Sequence, residues 1–194
     1  MRAVAAELGV QAAALYRYVA SREELDDLVF DHLMAGCLPK VVGRDWREDL
    51  RQVVQAWRRR LLERRDATRI VLGHISVGPN IAPLIDAVLN ALRRAGLDGA
   101  AAAQAYETLL LFVHGFASTE AVYRRLAPDP AAQGRRWPPL RPEWARSYPD
   151  LVALADRFSG PGDFEAIFAF GLEALIEAIA RRAEARPDAT TQPS

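Results

Sequence analysis

The sequence predicts an all-α protein in which a helix-turn-helix part joins a larger helical domain. Three observations lead there. Apolar residues recur at three- and four-residue spacing through nearly the whole chain. Strand-like alternation is scarce. The breaks between periodic stretches carry Gly, Pro, Asp or Ser, which cap and stop helices.

Composition sets the outer bounds. Hydrophobic residues make up 51% of the 194, enough for a sizeable core. The 25 basic and 25 acidic residues cancel, so net charge neither announces nor excludes a nucleic-acid partner. Cys37 is the one cysteine, which rules out an intrachain disulfide and makes a cytoplasmic location the simplest expectation. Met1 is not followed by an apolar signal run. The most apolar stretch, Leu109 to Ala117, is too short for a bilayer and is broken by His114 and Gly115. No membrane partner is expected.

Taken in order, residues 2–8 and 12–19 read as two short helices around Gly9-Val10-Gln11. Ser21 is a good N-cap with Glu23 and Glu24 in the first turn. The helix it opens places Leu25, Leu28, Val29, His32 and Leu33 on one face and ends at Gly36 to Pro39. Asp45 caps a long helix to Arg65, with Leu50, Val53, Val54, Trp57, Leu61 and Leu62 on one side and Arg47, Arg51, Arg58 and Arg59 largely on the other. Thr68 to Leu72 forms a short apolar piece before the Gly78-Pro79-Asn80 turn. Helices are expected at 82–94 and 98–125, a loop at 126–147, and a short helix at 149–158. Asp163 caps the last helix, whose apolar face runs Phe164, Ile167, Phe168, Gly171, Leu172, Leu175, Ile176 and Ile179. Residues 1–36 are thus the helix-turn-helix part, 44–186 the larger domain, and 187–194 a tail expected to be disordered.

Ala3 to Val19 is the most informative segment. Ala5 supplies the small residue where two helices touch, and Gly9 tolerates the positive φ of the turn. Val4, Leu8, Val10, Leu15 and Val19 supply apolar anchors. The second helix then presents Gln11, Ala12, Ala13 and Arg17 to a major groove, while Tyr16 and Arg22 are placed for phosphates. On spacing alone, an ordinary helical hairpin with a glycine turn fits equally well.

Resemblance separates the two. Arg2-Ala-Val-Ala, Leu8-Gly9-Val10, Leu15-Tyr16-Arg17-Tyr18-Val19 and Ser21-Arg22-Glu23-Glu24-Leu25 resemble the second half of a DNA-binding domain of the TetR family. That resemblance implies Arg2, Gln11, Ala12, Ala13, Tyr16, Arg17 and Arg22 as contacts to double-stranded operator DNA. The family's domain has a further, first helix, so the expectation is that Met1 is an internal methionine and the native chain is longer. A two-helix pair exposes the faces of Val4, Leu8, Leu15 and Val19, at about 1.5–3 kcal/mol per fully exposed large side chain.

Asp45-Trp46, Leu50, Arg64-Arg65-Asp66-Ala67, Leu72-Gly73 and Phe170-Gly171-Leu172-Glu173 are similar to the C-terminal domain of the tetracycline-repressor subgroup. The resemblance implies a homodimer built on the helices at 98–125 and 163–182, with Phe164, Ile167, Phe168, Gly171, Leu172, Leu175, Ile176 and Ile179 as its interface. An intrachain core is the alternative use of that face. It also implies a small-molecule effector. The subgroup's histidine, second histidine, arginine and acidic drug ligands fall at Leu38, Val71, Ile75 and near Val122, which argues against a magnesium–tetracycline chelate. A more apolar ligand is expected, drawn from Trp57, Leu61, Ile70, His74, Ile85, Leu89, Tyr106, Leu110, Phe112, His114 and Phe116. Core packing is the competing explanation for each.

His32, His74 and His114 lie far apart with no carboxylate at ligand spacing, so neither metal nor cofactor is expected. No nucleophile elbow, phosphate loop or catalytic constellation is present in the sequence, and an enzyme is not expected. Glu107 and Glu120 on an apolar helix are the residues such a rival reading would use. Arg135, Arg136 and Trp137 stand either as a pocket gate or as a solvated loop. The closer rival is a dimeric small-molecule-binding protein that has lost DNA binding with its first helix.

Overall fold

The computed structural model describes residues 1–40, 43, 45–63, 68, 70, 77–126, 141, 143–159 and 163–185. His74, residues 127–140 with Arg135, Arg136 and Trp137, and residues 187–194 lie outside these residues, as do the carried-over positions Val71 and Ile75. Among the described residues the regular structure is entirely helical: α1 (Arg2–Glu7), α2 (Ala12–Leu15), α3 (Arg22–Leu33), α4 (Trp46–Glu63), α5 (Ala82–Arg94), α6 (Gly99–Leu126), α7 (Trp144–Ser147), α8 (Pro149–Ser159) and α9 (Phe164–Glu184). Residues 1–117 with 175–194 form one compact unit, and 118–174 form another.

In the first unit, α1 closes in a two-bond C-terminal cap. Gly9 N donates to Ala6 O at 3.2 Å and Val10 N to Ala5 O at 2.9 Å. That geometry needs a left-handed residue between them, and Gly9 supplies it at φ +66°. Helix α2 is shorter than the expected 12–19. It stops at Leu15, and Arg17 and Tyr18 continue as turns bonded to Ala14 O and Leu15 O.

Ser21 caps α3 as expected. Its Oγ accepts from Glu24 N at 3.1 Å, and the Glu24 carboxylate accepts from Ala20 N at 2.5 Å. This is a capping box shifted by one residue. The buried face of α3 differs from the expected one. Leu28 and Val29 are exposed, whereas Phe30 and Asp31 are buried with Met34 beyond the helix end. The reason is tertiary: Phe30 meets the His114 ring, and Asp31 accepts hydrogen bonds from Asn80 and Ile81.

Helices α4 and α5 pack together and carry much of the core. Leu50, Val53, Val54, Trp57 and Leu61 recur at helical spacing on α4, and Leu84, Val88, Ala91 and Leu92 on α5, all buried. Each such side chain contributes about 1.5–3 kcal/mol relative to exposure. Asp49, near the start of α4, pairs with Arg94 at the end of α5 and also accepts from Gly43 N at 3.3 Å. Arg58 departs from expectation. It is buried, with its guanidinium 5.3 Å from the Phe116 ring centroid.

From α6 the first unit buries Leu109, Val113, His114 and Ala117. In the second unit, Glu120 is fully buried and accepts from Arg124 at 2.6 Å. Tyr123 and Phe164 approach to 5.8 Å. The stretch read as a loop contains the single helical turn α7, ended by a Tyr148 N to Trp144 O bond of 2.8 Å. Asp163 caps α9 as expected, accepting from Ala166 N at 2.9 Å.

Candidate functional site

The chain offers three surfaces or clusters that the sequence singles out. On the first, α1 and α2 are joined through buried Ala5 and the Gly9 turn, with Val19 buried beyond α2. Arg2, Gln11, Ala13, Tyr16, Arg17 and Arg22 are exposed, and Ala12 is half-buried. Ala13 lies in α2, and Tyr16 and Arg17 follow in the turn that ends it, with Arg17 N bonded to Ala14 O at 3.4 Å. Arg22 reaches Asp26 at 3.4 Å, an exposed pair of little energetic weight. Of the apolar anchors, Val4, Leu8 and Val10 are 39%, 62% and 44% exposed, while Leu15 is half-buried. The pair therefore presents an apolar side as well as a polar one.

The second is an aromatic cluster between α3, α4 and α6. The His114 imidazole stands edge-on to Trp57 at 5.1 Å and to Phe30 at 6.3 Å. Phe112 and Phe116 meet at 5.8 Å along the same helix. Of the residues expected to line a ligand pocket, the ring contacts bring Trp57 and His114 together; Leu61 is buried, Ile70, Ile85, Tyr106, Leu110, Phe112 and Phe116 are half-buried, and Leu89 is 37% exposed. Burial raises the Tyr106 pKa and holds His114 down to about 4, so its imidazole is neutral.

Two polar atoms in this cluster, Trp57 Nε1 and His114 Nε2, are buried without a hydrogen-bond partner. Each such atom costs about 1–3 kcal/mol, so the cluster carries unmet bonding capacity. Phe30 and Arg58 belong to this cluster, and sequence reading missed both. The signal for Arg58 was available: it lies four residues after Val54 and three before Leu61, in the buried stripe.

The third is the apolar face of α9, which divides. Phe168, Leu172, Ile176 and Ile179 are buried within the chain itself. Phe164, Gly171 and Leu175 are half-buried, and Ile167 is 39% exposed. The outward arc is Ile167, Phe170, Gly171, Ala174 and Ala178, with Phe170 79% exposed. The expected interface therefore mixes two faces. On α6, Thr108, Leu111, Gly115 and Val122 are outward, Leu111 being 70% exposed. A groove in the first unit runs between Ala101, Ala105 and Leu109 on α6 and Leu175, Ala178 and Ile179 on α9.

Two remaining features are structural. Cys37 is buried, its thiol donates to Ala56 O at 3.6 Å, and burial pushes its pKa up to about 11. Among the described residues no cluster of three His, Cys, Asp or Glu gathers for a metal, and no helix is long and apolar enough to cross a membrane.

A helix-turn-helix pair joined through α3 to a helical domain with an aromatic interior is the architecture of a ligand-responsive transcriptional regulator. Comparison with known proteins identifies which kind. Residues 38–183 match the family described as tetracyclin repressor-like, C-terminal domain. The chain is 30% identical over 185 residues to an HTH-type transcriptional regulator of Saccharopolyspora erythraea, spanning 94% of this chain and 76% of that one. It is 32% identical over 184 residues to the class A tetracycline repressor protein from transposon 1721 of Escherichia coli, spanning 93% and 81%. Apo ActR from Streptomyces coelicolor superposes with a TM-score of 0.75 at 31% identity, over 94% of this chain and 87% of that one. ActR has also been solved in complex with actinorhodin. The chain belongs to the TetR family, and its function is that of a DNA-binding transcriptional regulator.

Proposed function

We propose that the protein is a homodimeric, cytoplasmic repressor that leaves its operator when a small molecule enters the aromatic cluster. Gln11, Ala12, Ala13 and Arg17 read base edges, while Arg2, Tyr16 and Arg22 hold phosphates. The carrying observation is the exposed run of Gln11, Ala13, Tyr16 and Arg17 immediately upstream of α3. The effector is accommodated around Trp57 and His114, with Phe112, Phe116, Leu61 and Ile85 as further apolar wall. ActR with actinorhodin supports a small-molecule ligand in a relative of this fold. No catalytic step is needed for this function.

Dimerisation uses the outward side of α9 around Ile167 and Phe170. Two copies related by a two-fold axis place two recognition segments on half-sites about 34–36 Å apart. The effector weakens DNA binding by its differential affinity for two dimer conformations.

Fluorescence anisotropy with the DNA flanking the protein's own gene, at two salt concentrations, tests the reading. Saturable, sequence-selective and salt-sensitive binding is expected. Equal affinity for that DNA and for random duplex would remove the autoregulatory repressor.

A further inference from the structure

A second pocket lies in the first unit where α3 hands over to α4. It has a volume of about 230 Å³, opens between the Gly36–Pro39 linker and one side of α4, and shares no lining residue with the aromatic cluster. We infer that this pocket binds a small organic acid through one carboxylate held by Arg59 and Arg60. The site stands apart from the effector reading and from the proposed dimer.

Charge decides the class of ligand. Two guanidiniums and the Glu63 carboxylate line the pocket, which leaves one positive charge in excess among its described groups. Cys37, the remaining titratable side chain in the wall, adds none, because burial pushes its thiol up to about 11. A single carboxylate cancels the excess. A cation would add to it, and a dianion such as phosphate would exceed it. Arg60 is already oriented: Nη2 donates to Ala35 O at 2.8 Å, and Nη1 lies 3.7 Å from the Glu63 carboxylate. A guanidinium carries five N–H donors in a fixed fork, so this tie leaves donors for an incoming carboxylate. Arg59, one residue earlier on α4, is exposed and lines the same pocket.

The rest of the wall asks for an organic carrier. Leu38, Pro39 and Ala56 set apolar surface beside the two arginines. A bare inorganic ion would leave that surface uncovered. The volume is below the roughly 300–1,000 Å³ of pockets for drug-sized ligands, which limits the acid to a few carbons. An occupant would lie against the segment that joins the helix-turn-helix part to α4. Its binding and DNA binding are therefore linked wherever that segment moves.

Equilibrium dialysis of the full chain against radiolabelled butyrate tests the site, with butyramide and inorganic phosphate as competitors. Saturable binding of butyrate is expected. Butyramide, which keeps the outline and lacks the charge, should compete about tenfold less well, and phosphate less well than unlabelled butyrate. Arg59→Gln should weaken butyrate binding about tenfold. Glu63→Gln, which removes the one negative charge from the wall, should tighten it about threefold, an effect that loss of a merely structural contact would not produce. Both substitutions are at exposed positions, whereas Arg60 also holds Ala35 O and is left in place. Absence of saturable binding, equal competition by butyramide, or phosphate outcompeting butyrate overturns the inference. So does a butyrate affinity that Arg59→Gln leaves unchanged or that Glu63→Gln lowers.

Discussion

Asp31 and Asn80 are joined twice over. One Asp31 carboxylate oxygen accepts from Asn80 N at 3.0 Å, and the other accepts from Asn80 Nδ2 at 2.7 Å. The first oxygen also accepts from Ile81 N at 3.0 Å. Ile81 is the N-cap position of α5, which has no side-chain cap of its own. A carboxylate from α3, fifty positions upstream, serves the start of α5 as a local Ser or Asp would. Its negative charge also lies at the positive end of the α5 dipole.

Asp31→Ala is therefore expected to cost about 2–3 kcal/mol, since it removes three bonds to one buried charged acceptor. Urea denaturation at neutral pH reads this directly. A loss under about 0.5 kcal/mol would show that water replaces the carboxylate without penalty.

Gly78 belongs to the same joint. A Cβ there would lie inside contact distance of Asp31 Cβ, Cγ and Oδ1. Gly78→Ala should destabilise the protein by about 1–3 kcal/mol. Combined with Asp31→Ala it should cost less than the two separate losses added, because one change removes much of what the other strikes. Strict additivity in the double-mutant cycle would separate the two residues.

His114 links stability to pH. Its folded pKa is held to about 4 by burial, while an unfolded histidine titrates near 6.5. Between those values the unfolded chain binds more protons, so stability falls as pH drops through that window. Above about pH 6.5 the contribution is fully present, and by about pH 4 roughly 2–3 kcal/mol is lost. His114→Phe should flatten the difference between urea midpoints at pH 7.5 and pH 5. An unchanged slope in the variant would move the effect to other groups.

The two faces of α9 should respond differently. Phe170→Glu is expected to yield folded monomers in sedimentation velocity, with weaker operator binding. Phe168→Ala removes a fully buried ring and should lower stability by about 3–5 kcal/mol. A Phe170→Glu protein that remains dimeric would place the interface elsewhere.

Arg17→Ala should weaken operator binding by about 1–3 kcal/mol if its guanidinium reads a base. A uniform loss on all duplexes, with the salt slope reduced by about one, would make it a phosphate contact instead.

Local signals were readable in the sequence because they depend on neighbours a few residues away. Ser21 and Asp163 cap as expected, and α5 spans the anticipated residues 82–94. The Gly9 turn has the positive φ its position required. What escaped depends on residues far along the chain. Asp31 on α3 looks like a solvent carboxylate until Asn80 is placed beside it. Leu28 and Val29 form a plausible buried face by period alone, yet Phe30 takes the interior because His114 is there. Buried residues on α4 cover more than half its circumference, so a two-sided division put Arg58 outside. On α9 the periodicity revealed an apolar surface without revealing where the chain's own core ended and an outward face began. Phe168 and Phe170 differ by two residues and lie on opposite sides of that boundary.

The Asp31 tie sits near the C-terminal end of α3, and the helix-turn-helix adjoins its other end. That asymmetry gives α3 the mechanics of a lever with its fulcrum at one tip. Nine residues separate Arg22 from Asp31, an arm of about 14 Å at helical rise. A tilt of about 10° at the fulcrum carries Arg22 sideways by about 2 Å, close to the reach of a hydrogen bond. In the proposed two-fold pair both arms would swing together, so the separation of the two reading heads would change by up to twice the displacement of either one.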